Sequence, residues 1–273
     1  MRLVTMNIWG THGDWVARRN YLRDLLLALS PDVLTLQETI RTAAYDQAAD
    51  LLGPDYKVIN SRSRSPDGMG ISTAVRLPVG EPVEIDLQID ERTADFPCTA
   101  MATPVRSALG EVLVINHFPS WKLDLEAARE VQAVRVINAV DDVRSSPEVP
   151  VIIAGDLDAD PTAASLRFLT GRQSLHGRSV CYRDAWESRH PGEPGDTYTR
   201  MNPLMVEDWP FGRIDHVLVS CGTHGGPQLE IADCRRIFDT PRCKVWASDH
   251  FGVLVDLVAN TAVPPERGEQ PDR

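Results

Sequence analysis

Between residues 56 and 116 the chain carries five short strand-like runs, at 56–60, 70–76, 83–88, 97–104 and 111–116, with no helical stretch between them. A regular alternation of strands and helices cannot absorb such a series, because each parallel crossover needs a dozen or more residues, usually a helix. Turn-rich pieces such as 61–68 separate some of the runs. Elsewhere the pattern is mixed. Residues 2–6 read as a strand, and Val16, Leu22, Leu25, Leu26 and Leu29 give 15–29 a helical rhythm that ends at Ser30-Pro31. Residues 32–37 return to strand, and 41–52 suit a helix stopping at Gly53-Pro54. The longest helical stretch, 123–144, places Leu125, Ala128, Val131, Val134, Ile137 and Val140 on one broad face. Residues 149–154 form a buried strand, and 213–219, 228–238 and 251–258 are strands near the end. The segments 171–180, 190–212 and 220–227 read as loops. Strands outnumber helices and several are adjacent, which predicts packed sheets flanked by helices. No linker divides the chain, so we expect one domain over 1–261, followed by a polar, proline-rich, disordered tail over 262–273.

With 273 residues and 42% apolar content, the chain can bury a large core. No apolar run approaches the roughly 20 residues of a membrane-spanning helix, and the start turns polar too soon for a signal peptide. Five cysteines, Cys98, Cys181, Cys221, Cys234 and Cys243, stand at irregular spacings without a CxxC, so neither a disulfide framework nor a zinc knuckle is indicated. The expectation is a reduced, cytoplasmic protein. Acidic residues outnumber basic ones 39 to 28, a net charge of −11 that removes long-range attraction to a nucleic-acid backbone.

The informative feature is where polar residues fall. Asn7 follows the first strand, Glu38 follows 32–37, His117 follows 112–116, and Asp156 follows 149–154 by one glycine. Near the end the order reverses. Asp215 and His216 open a strand, and Asp249-His250 stand just before another. In a mixed sheet the ends of some strands and the beginnings of their antiparallel neighbours share an edge, so all these groups are able to meet on one rim. A single acid at a strand end is ordinarily a solvated turn residue. Glu38, Asp156, Asp158, Asp215 and Asp249 on one rim are different, because such a group needs protons, arginines or a cation to neutralise it. Hard divalent cations with oxygen ligands are the usual solution.

These residues occur in motifs. Thr5-Met6-Asn7-Ile8-Trp9, Leu36-Gln37-Glu38, Asn116-His117-Phe118, Gly155-Asp156-Leu157-Asp158, Arg213-Ile214-Asp215-His216 and Ser248-Asp249-His250 follow one another in chain order. Together they resemble the endonuclease/exonuclease/phosphatase superfamily of pancreatic DNase-like nucleases and inositol-polyphosphate phosphatases, over residues 3 to 257. The resemblance implies a four-layered α/β sandwich, with two mixed, mainly antiparallel sheets face to face and helices outside. It also implies a Mg²⁺-dependent phosphoesterase, with Mn²⁺ able to serve. Glu38 then resembles the principal metal ligand, Asn7 a neighbour assisting the metal or the phosphate, and Asp249 a second metal-side ligand. Asp156 resembles the residue that orients or deprotonates the attacking water. His250 matches the histidine facing the phosphate, Asp215 the carboxylate holding it, and His117 a further histidine near the phosphate. Arg129 and Gln132 fit a family Arg-x-x-Gln pattern with a scaffolding role.

One position departs from the family. Asp158 stands where most members have asparagine, and an ionised aspartate accepts hydrogen bonds where an amide donates. A protein that binds but hydrolyses poorly, or a biosynthetic enzyme on the same metal rim, are the alternatives this departure opens. Residues near the motifs that suit substrate selection are Trp9, His12, Arg62, Arg64, Trp121, Trp209 and Phe211. The acidic balance favours a small phosphodiester or short nucleic acid over extended duplex DNA, with no membrane and no obligate protein partner.

Overall fold

In a computed structural model, the structure describes residues 1–205, 210, 212–223 and 225–261. The expected disordered tail at 262–273, and Trp209 and Phe211, lie outside the described residues. The chain opens with β1 (Arg2–Asn7), crosses through α1 (Trp15–Leu29) and returns parallel to β1 as β2 (Val33–Ile40). Asp14 caps α1 by accepting from the Ala17 amide, and Ser30, left-handed, ends it before Pro31. Next come α2 (Gln47–Leu52), β3 (Lys57–Asn60) and β4 (Met69–Val75). The helix expected over 41–52 starts only at Gln47, because Asp46 caps it and Arg41 bridges Asp46 in extended form.

The second half begins with β5 (Val83–Asp86), β6 (Thr99–Ser107) and β7 (Gly110–Phe118), a run of antiparallel neighbours. A 3₁₀ turn over Leu123–Leu125 leads into α3 (Glu126–Val143), and β8 (Val151–Asp156) then lies parallel to β7. The remaining elements are α4 (Ala164–Leu169), β9 (Tyr182–Asp184), α5 (Ala185–Arg189), β10 (Asp215–Ser220), β11 (Leu229–Ile237) and β12 (Gly252–Ala259). Of these, α4, β9 and α5 span six, three and five residues, too short to show a period in the sequence.

Two six-stranded sheets result, ordered β11-β12-β1-β2-β4-β3 and β5-β6-β7-β8-β10-β9. Among the described residues, only β1–β2 and β7–β8 are parallel pairs, so both sheets are mixed and mainly antiparallel. The sheets face each other across Leu3, Val33, Val114, Ile152, Val217 and Val255. Outside the first sheet, Leu22, Leu26 and Leu51 of α1 and α2 pack on Val4, Met6 and Leu34. Outside the second, Val136, Ile137 and Val140 of α3 pack on Leu113, Ile115 and Ile153. The order is helix, sheet, sheet, helix: the α/β sandwich expected from the sequence.

The space between the sheets changes character along the strands. At one end it is apolar, mostly Val, Leu and Ile; at the other, Gln37 Nε2 donates across the gap to Asn116 Oδ1 at 2.8 Å. Asn116 Nδ2 in turn reaches Ser72 O at 3.1 Å. Buried amides are tolerated only when bonded in this way, and this cross-link holds the two sheets in register beneath the rim that carries Asn7 and Glu38.

Candidate active site

The C-terminal ends of β1, β2 and β8 and the beginnings of β10 and β12 meet at one rim. Asn7 closes β1. Its amide nitrogen donates to Glu38 Oε1 at 2.8 Å and to Asp156 Oδ2 at 3.0 Å, while its oxygen accepts from the Trp9 amide at 2.9 Å. One side chain thus ties the first sheet to the second. Glu38 sits where the β2–β4 register shifts, with φ +54°. Such an irregularity re-aims a side chain out of the pleat, and a left-handed non-glycine residue costs about 1–3 kcal/mol that the surrounding structure must hold.

On the second sheet, Asp215 pairs in register with Asp156. Thr197 fixes this region: its Oγ1 accepts from the amides of Ile214 and Asp215, both at 3.1 Å, and its carbonyl accepts from Phe251 N at 2.8 Å. His250 arrives from the turn before β12, where Ser248 Oγ donates to Asn7 O at 2.8 Å. The imidazole Nδ1 lies 2.9 Å from Asp215 Oδ2, and Nε2 lies 3.8 Å from Asp156 Oδ2. Ligand atoms of Asp156, Asp215 and His250 all fall within 4.8 Å of one another.

The electrostatics follow from burying acids together. Burial, then Asp249, pushes the Glu38 carboxyl up to about 7. Burial also lifts Asp158 to about 7 and, with Asp158 as the next cause, raises Asp156 well above the carboxylate range. Asp249 is raised by burial as well. Burial alone would lower His250, but the charges of Asp215 and Asp156 outweigh it and hold the imidazole above its ordinary value. Among the described residues, two buried carboxylate oxygens, Asp158 Oδ2 and Asp215 Oδ1, have no hydrogen-bond partner. Crowded acids with unspent oxygens are the environment that a hard divalent cation satisfies; Asp156, Asp215 and His250 have ligand atoms close enough to hold one, and Glu38, Asp158 and Asp249 could add oxygen donors beside them. The residues present fit such an ion.

The acids form the floor of a cleft of about 280 Å³. Trp9, His12, Phe96, Phe118, Trp121 and Tyr198 line its walls. Expected residues Asn7, Glu38, Asp156, Asp158, Asp215, Asp249 and His250 are therefore brought together, with Trp9 and Trp121 beside them. Three other expected residues are not brought into the cleft. His117 does not line the cleft. On β7 it shares a face with Leu113 and Ile115, so its ring turns to the helix layer beside Pro119, Arg129, Leu157 and Leu166. Arg62 is exposed and pairs with Glu84 at 3.3 Å. Arg64 is spent on backbone carbonyls, including Thr39 O at 2.7 Å and Ile71 O at 2.6 Å. Arg129 and Gln132 hold the 118–122 turn, through bonds to Ser120 O at 2.9 Å and from Ser120 N at 3.0 Å.

Sequence reasoning missed Thr197, Tyr198 and Phe96, which lie in irregular segments where no period or motif marks them. It also missed a buried group behind β10. There Arg213 Nη1 donates to Asp184 Oδ2 at 2.5 Å and contacts His216 Nδ1 at 3.0 Å, and His216 Nε2 meets Ala159 O at 2.9 Å. This group anchors the turn that follows Asp156. The motif containing Arg213 and His216 was visible, but not its partner Asp184.

Two mixed six-stranded sheets face to face, with an acidic rim at one end, define the DNase I-like class of α/β sandwich. The family model described as the Endonuclease/Exonuclease/phosphatase family matches residues 4–250, and the chain belongs to that family, whose members are hydrolases of phosphoester bonds. The fold is similar to TDP2 from Caenorhabditis elegans, with a TM-score of 0.74 at 20% identity, covering 95% of this chain and 74% of that one. It is also similar to Danio rerio TDP2 in complex with a single-strand DNA product, with a TM-score of 0.73 at 20% identity, covering 93% and 97%. The human Nocturnin catalytic domain with a bound sulfate aligns at a TM-score of 0.72 and 17% identity, covering 95% and 94%. No curated protein matches the chain by sequence alone. Among the described residues, no helix is long and apolar enough to cross a membrane.

Proposed function

We propose that the protein is a Mg²⁺-dependent phosphodiesterase that hydrolyses a small phosphodiester, or a short nucleic acid, by direct attack of water. The observation that carries this reading is the convergence of Glu38, Asp156 and His250 from both sheets onto one cleft floor, with Asn7 and Asp215 bonded to them from beneath. Phosphate esters resist hydrolysis because their anionic oxygens repel a nucleophile. A divalent ion held by Glu38 and Asp249 would supply positive charge to a non-bridging oxygen. The remaining work falls to the chain itself. Asn7 fixes the Glu38 and Asp156 carboxylates relative to each other. Asp156, on the second sheet, is placed to orient a water and accept its proton. His250, held by Asp215 at Nδ1, presents Nε2 toward the same space and donates a hydrogen bond to phosphoryl oxygen or leaving group. No Gly-x-Ser-x-Gly occurs in the sequence, and this reading uses no covalent nucleophile.

The cleft's charge favours a diester over a polyphosphate. Among its described lining residues there is no arginine or lysine, whereas Glu38, Asp156, Asp158 and Asp249 are all present. A substrate carrying one negative charge is repelled least by such a floor. The net charge of −11 acts the same way against extended duplex DNA.

The test is hydrolysis of bis-p-nitrophenyl phosphate, single-stranded DNA and RNA, and sugar and inositol phosphates, with Mg²⁺ or Mn²⁺ and with EDTA. We expect diester cleavage that EDTA abolishes and that Asp156→Asn lowers on the order of 10²-fold or more. Full activity in chelator, or in Asp156→Asn, would overturn the reading.

A further inference from the structure

The loop after β1 is held more firmly than a turn requires. Arg18 of α1 is only 2% exposed, and all five of its guanidinium N–H groups are spent on main-chain carbonyls. Nε donates to His12 O at 3.0 Å. Nη1 reaches Ile8 O at 2.9 Å and Ala247 O at 2.7 Å, and Nη2 reaches Trp9 O at 3.1 Å and Gly10 O at 2.9 Å. Among the described residues, no carboxylate accepts a hydrogen bond from Arg18. Burying a cation to fix four residues of one loop is a costly way to make a bend.

What the loop carries explains the expense. Trp9 has φ +55° and is followed by Gly10 at φ +45°. A bulky residue held in the left-handed region is strained, and such strain persists where the surroundings over-determine it. The surroundings do so here on three sides. The Arg18 guanidinium carbon lies 5.0 Å from the Trp9 ring centroid. The Trp9 amide is bonded to Asn7 Oδ1, and Gly13 lies so close to the indole that a Cβ there would stand 3.1 Å from Cζ3. The fixed ring lines the cleft together with His12, whose ring centroid is 5.4 Å away at a tilt of 38°. Trp121 and Phe96 line the same cleft.

We infer that Trp9, braced by Arg18, is a stacking platform that selects esters carrying a flat aromatic ring next to the phosphate. This deepens the phosphodiesterase reading and rests on it for the identity of the neighbouring site. An aromatic face held in place before binding loses no rotamer freedom when a ring settles on it, and every flat ring has a π face to offer. An aryl group and a nucleobase both supply such a ring, and the chemistry the platform recognises is common to both.

The experiment is calorimetric titration of the full chain, in Mg²⁺, with probes that cannot be hydrolysed as diesters. Phenylphosphonate and cyclohexylphosphonate match in size and charge and differ in flatness, and thymidine 5′-monophosphate adds a nucleobase. We expect phenylphosphonate or the nucleotide to bind about fivefold or more tightly than cyclohexylphosphonate. The tighter of the two identifies the ring source. Trp9→Leu should abolish the preference and Trp9→Phe should keep most of it. Equal affinity for phenyl- and cyclohexylphosphonate, no binding of any probe, or a preference that survives Trp9→Leu would overturn the inference. Cleavage of bis-p-nitrophenyl phosphate, followed in parallel, separates the two ideas. Cleavage without ring preference removes the platform alone, and ring preference without cleavage removes the phosphodiesterase alone.

Discussion

His250 stands between two aspartates that belong to neighbouring strands: Nδ1 is 2.9 Å from Asp215 Oδ2, and Nε2 is 3.8 Å from Asp156 Oδ2. The first contact is a hydrogen bond that fixes the tautomer and favours the protonated ring. The second is too long for a hydrogen bond and leaves Nε2 free to meet a substrate oxygen. Asp215→Asn keeps the shape of the pair but removes the charge. We expect kcat on bis-p-nitrophenyl phosphate to fall on the order of 10²-fold or more, with a smaller change in KM. Steady-state kinetics at saturating Mg²⁺ measure both, and a rate above a tenth of the parent's would detach the pair from the chemistry.

On the proposed reading, the crowding of Glu38, Asp156, Asp158 and Asp249 would be relieved by a cation that binds the folded chain alone. Mg²⁺ should therefore raise the melting temperature, with a gain of about 2.7 kcal/mol once its concentration reaches a hundred times Kd. Glu38→Gln removes the charge closest to Asn7 and should shrink that Mg²⁺-dependent gain several-fold. Scanning calorimetry across a Mg²⁺ series decides it. An equal shift in parent and variant would place the ion elsewhere.

Asp158 carries a buried oxygen without a hydrogen-bond partner among the described residues, in a floor already rich in acids. Asp158→Asn replaces a carboxylate with a neutral amide and should stabilise the metal-free chain by about 1–3 kcal/mol, the usual cost of an unsatisfied buried polar group. Added Mg²⁺ should narrow the difference, because the ion satisfies the parent's carboxylate. Melting curves in EDTA and in Mg²⁺ test this. A variant less stable in EDTA would show that the aspartate is not a source of strain.

These assignments show how far the sequence reaches. Asn7, Glu38, Asp156, Asp215 and His250 were legible because each adjoins a short, nearly continuous apolar run, the mark of a strand buried on both faces. The sandwich itself was legible because the runs that become β5, β6 and β7 follow one another with no helical pattern between them. His117 misled for a physical reason. A strand end fixes where a backbone stops but not which face the last side chain takes, and β7 alternates so that Asn116 points between the sheets and His117 away from them. The brace at Arg18 was illegible because its partners are carbonyls, which every residue has.

The misplaced histidine has its own consequence for acid stability. Burial, with Nδ1 unpartnered, holds His117 down to about 3 against an ordinary 6.5. The unfolded chain therefore binds this proton at higher pH than the folded chain does. The contribution of the neutral ring is fully present above about 6.5 and is lost as pH falls toward 3, with a slope of up to about 1.4 kcal/mol per pH unit. His117→Leu, among Leu157, Leu166 and Leu169, should flatten the fall in melting temperature between pH 6.5 and 4.5. Parallel pH profiles in parent and variant would show that other groups govern the acid limb.

Gly155, inside β8 and next to its last residue Asp156, tests how tightly the rim depends on backbone spacing. A Cβ built there would stand 1.9 Å from His117 O and 3.0 Å from His117 N, both backbone atoms of the neighbouring strand β7. No side-chain rotation relieves a contact with main chain, so the ends of β7 and β8 must separate. Overpacking of this kind costs about 1–3 kcal/mol or more. The displacement falls one residue from Asp156 and opposite His216, with which Gly155 is in register. Gly155→Ala should therefore lower the melting temperature and also reduce kcat beyond what its lost stability accounts for, measured well below its melting point. A folded variant with the parent's kcat would mean that the position of Asp156 tolerates movement, and that the rim is less finely set than its hydrogen bonds imply.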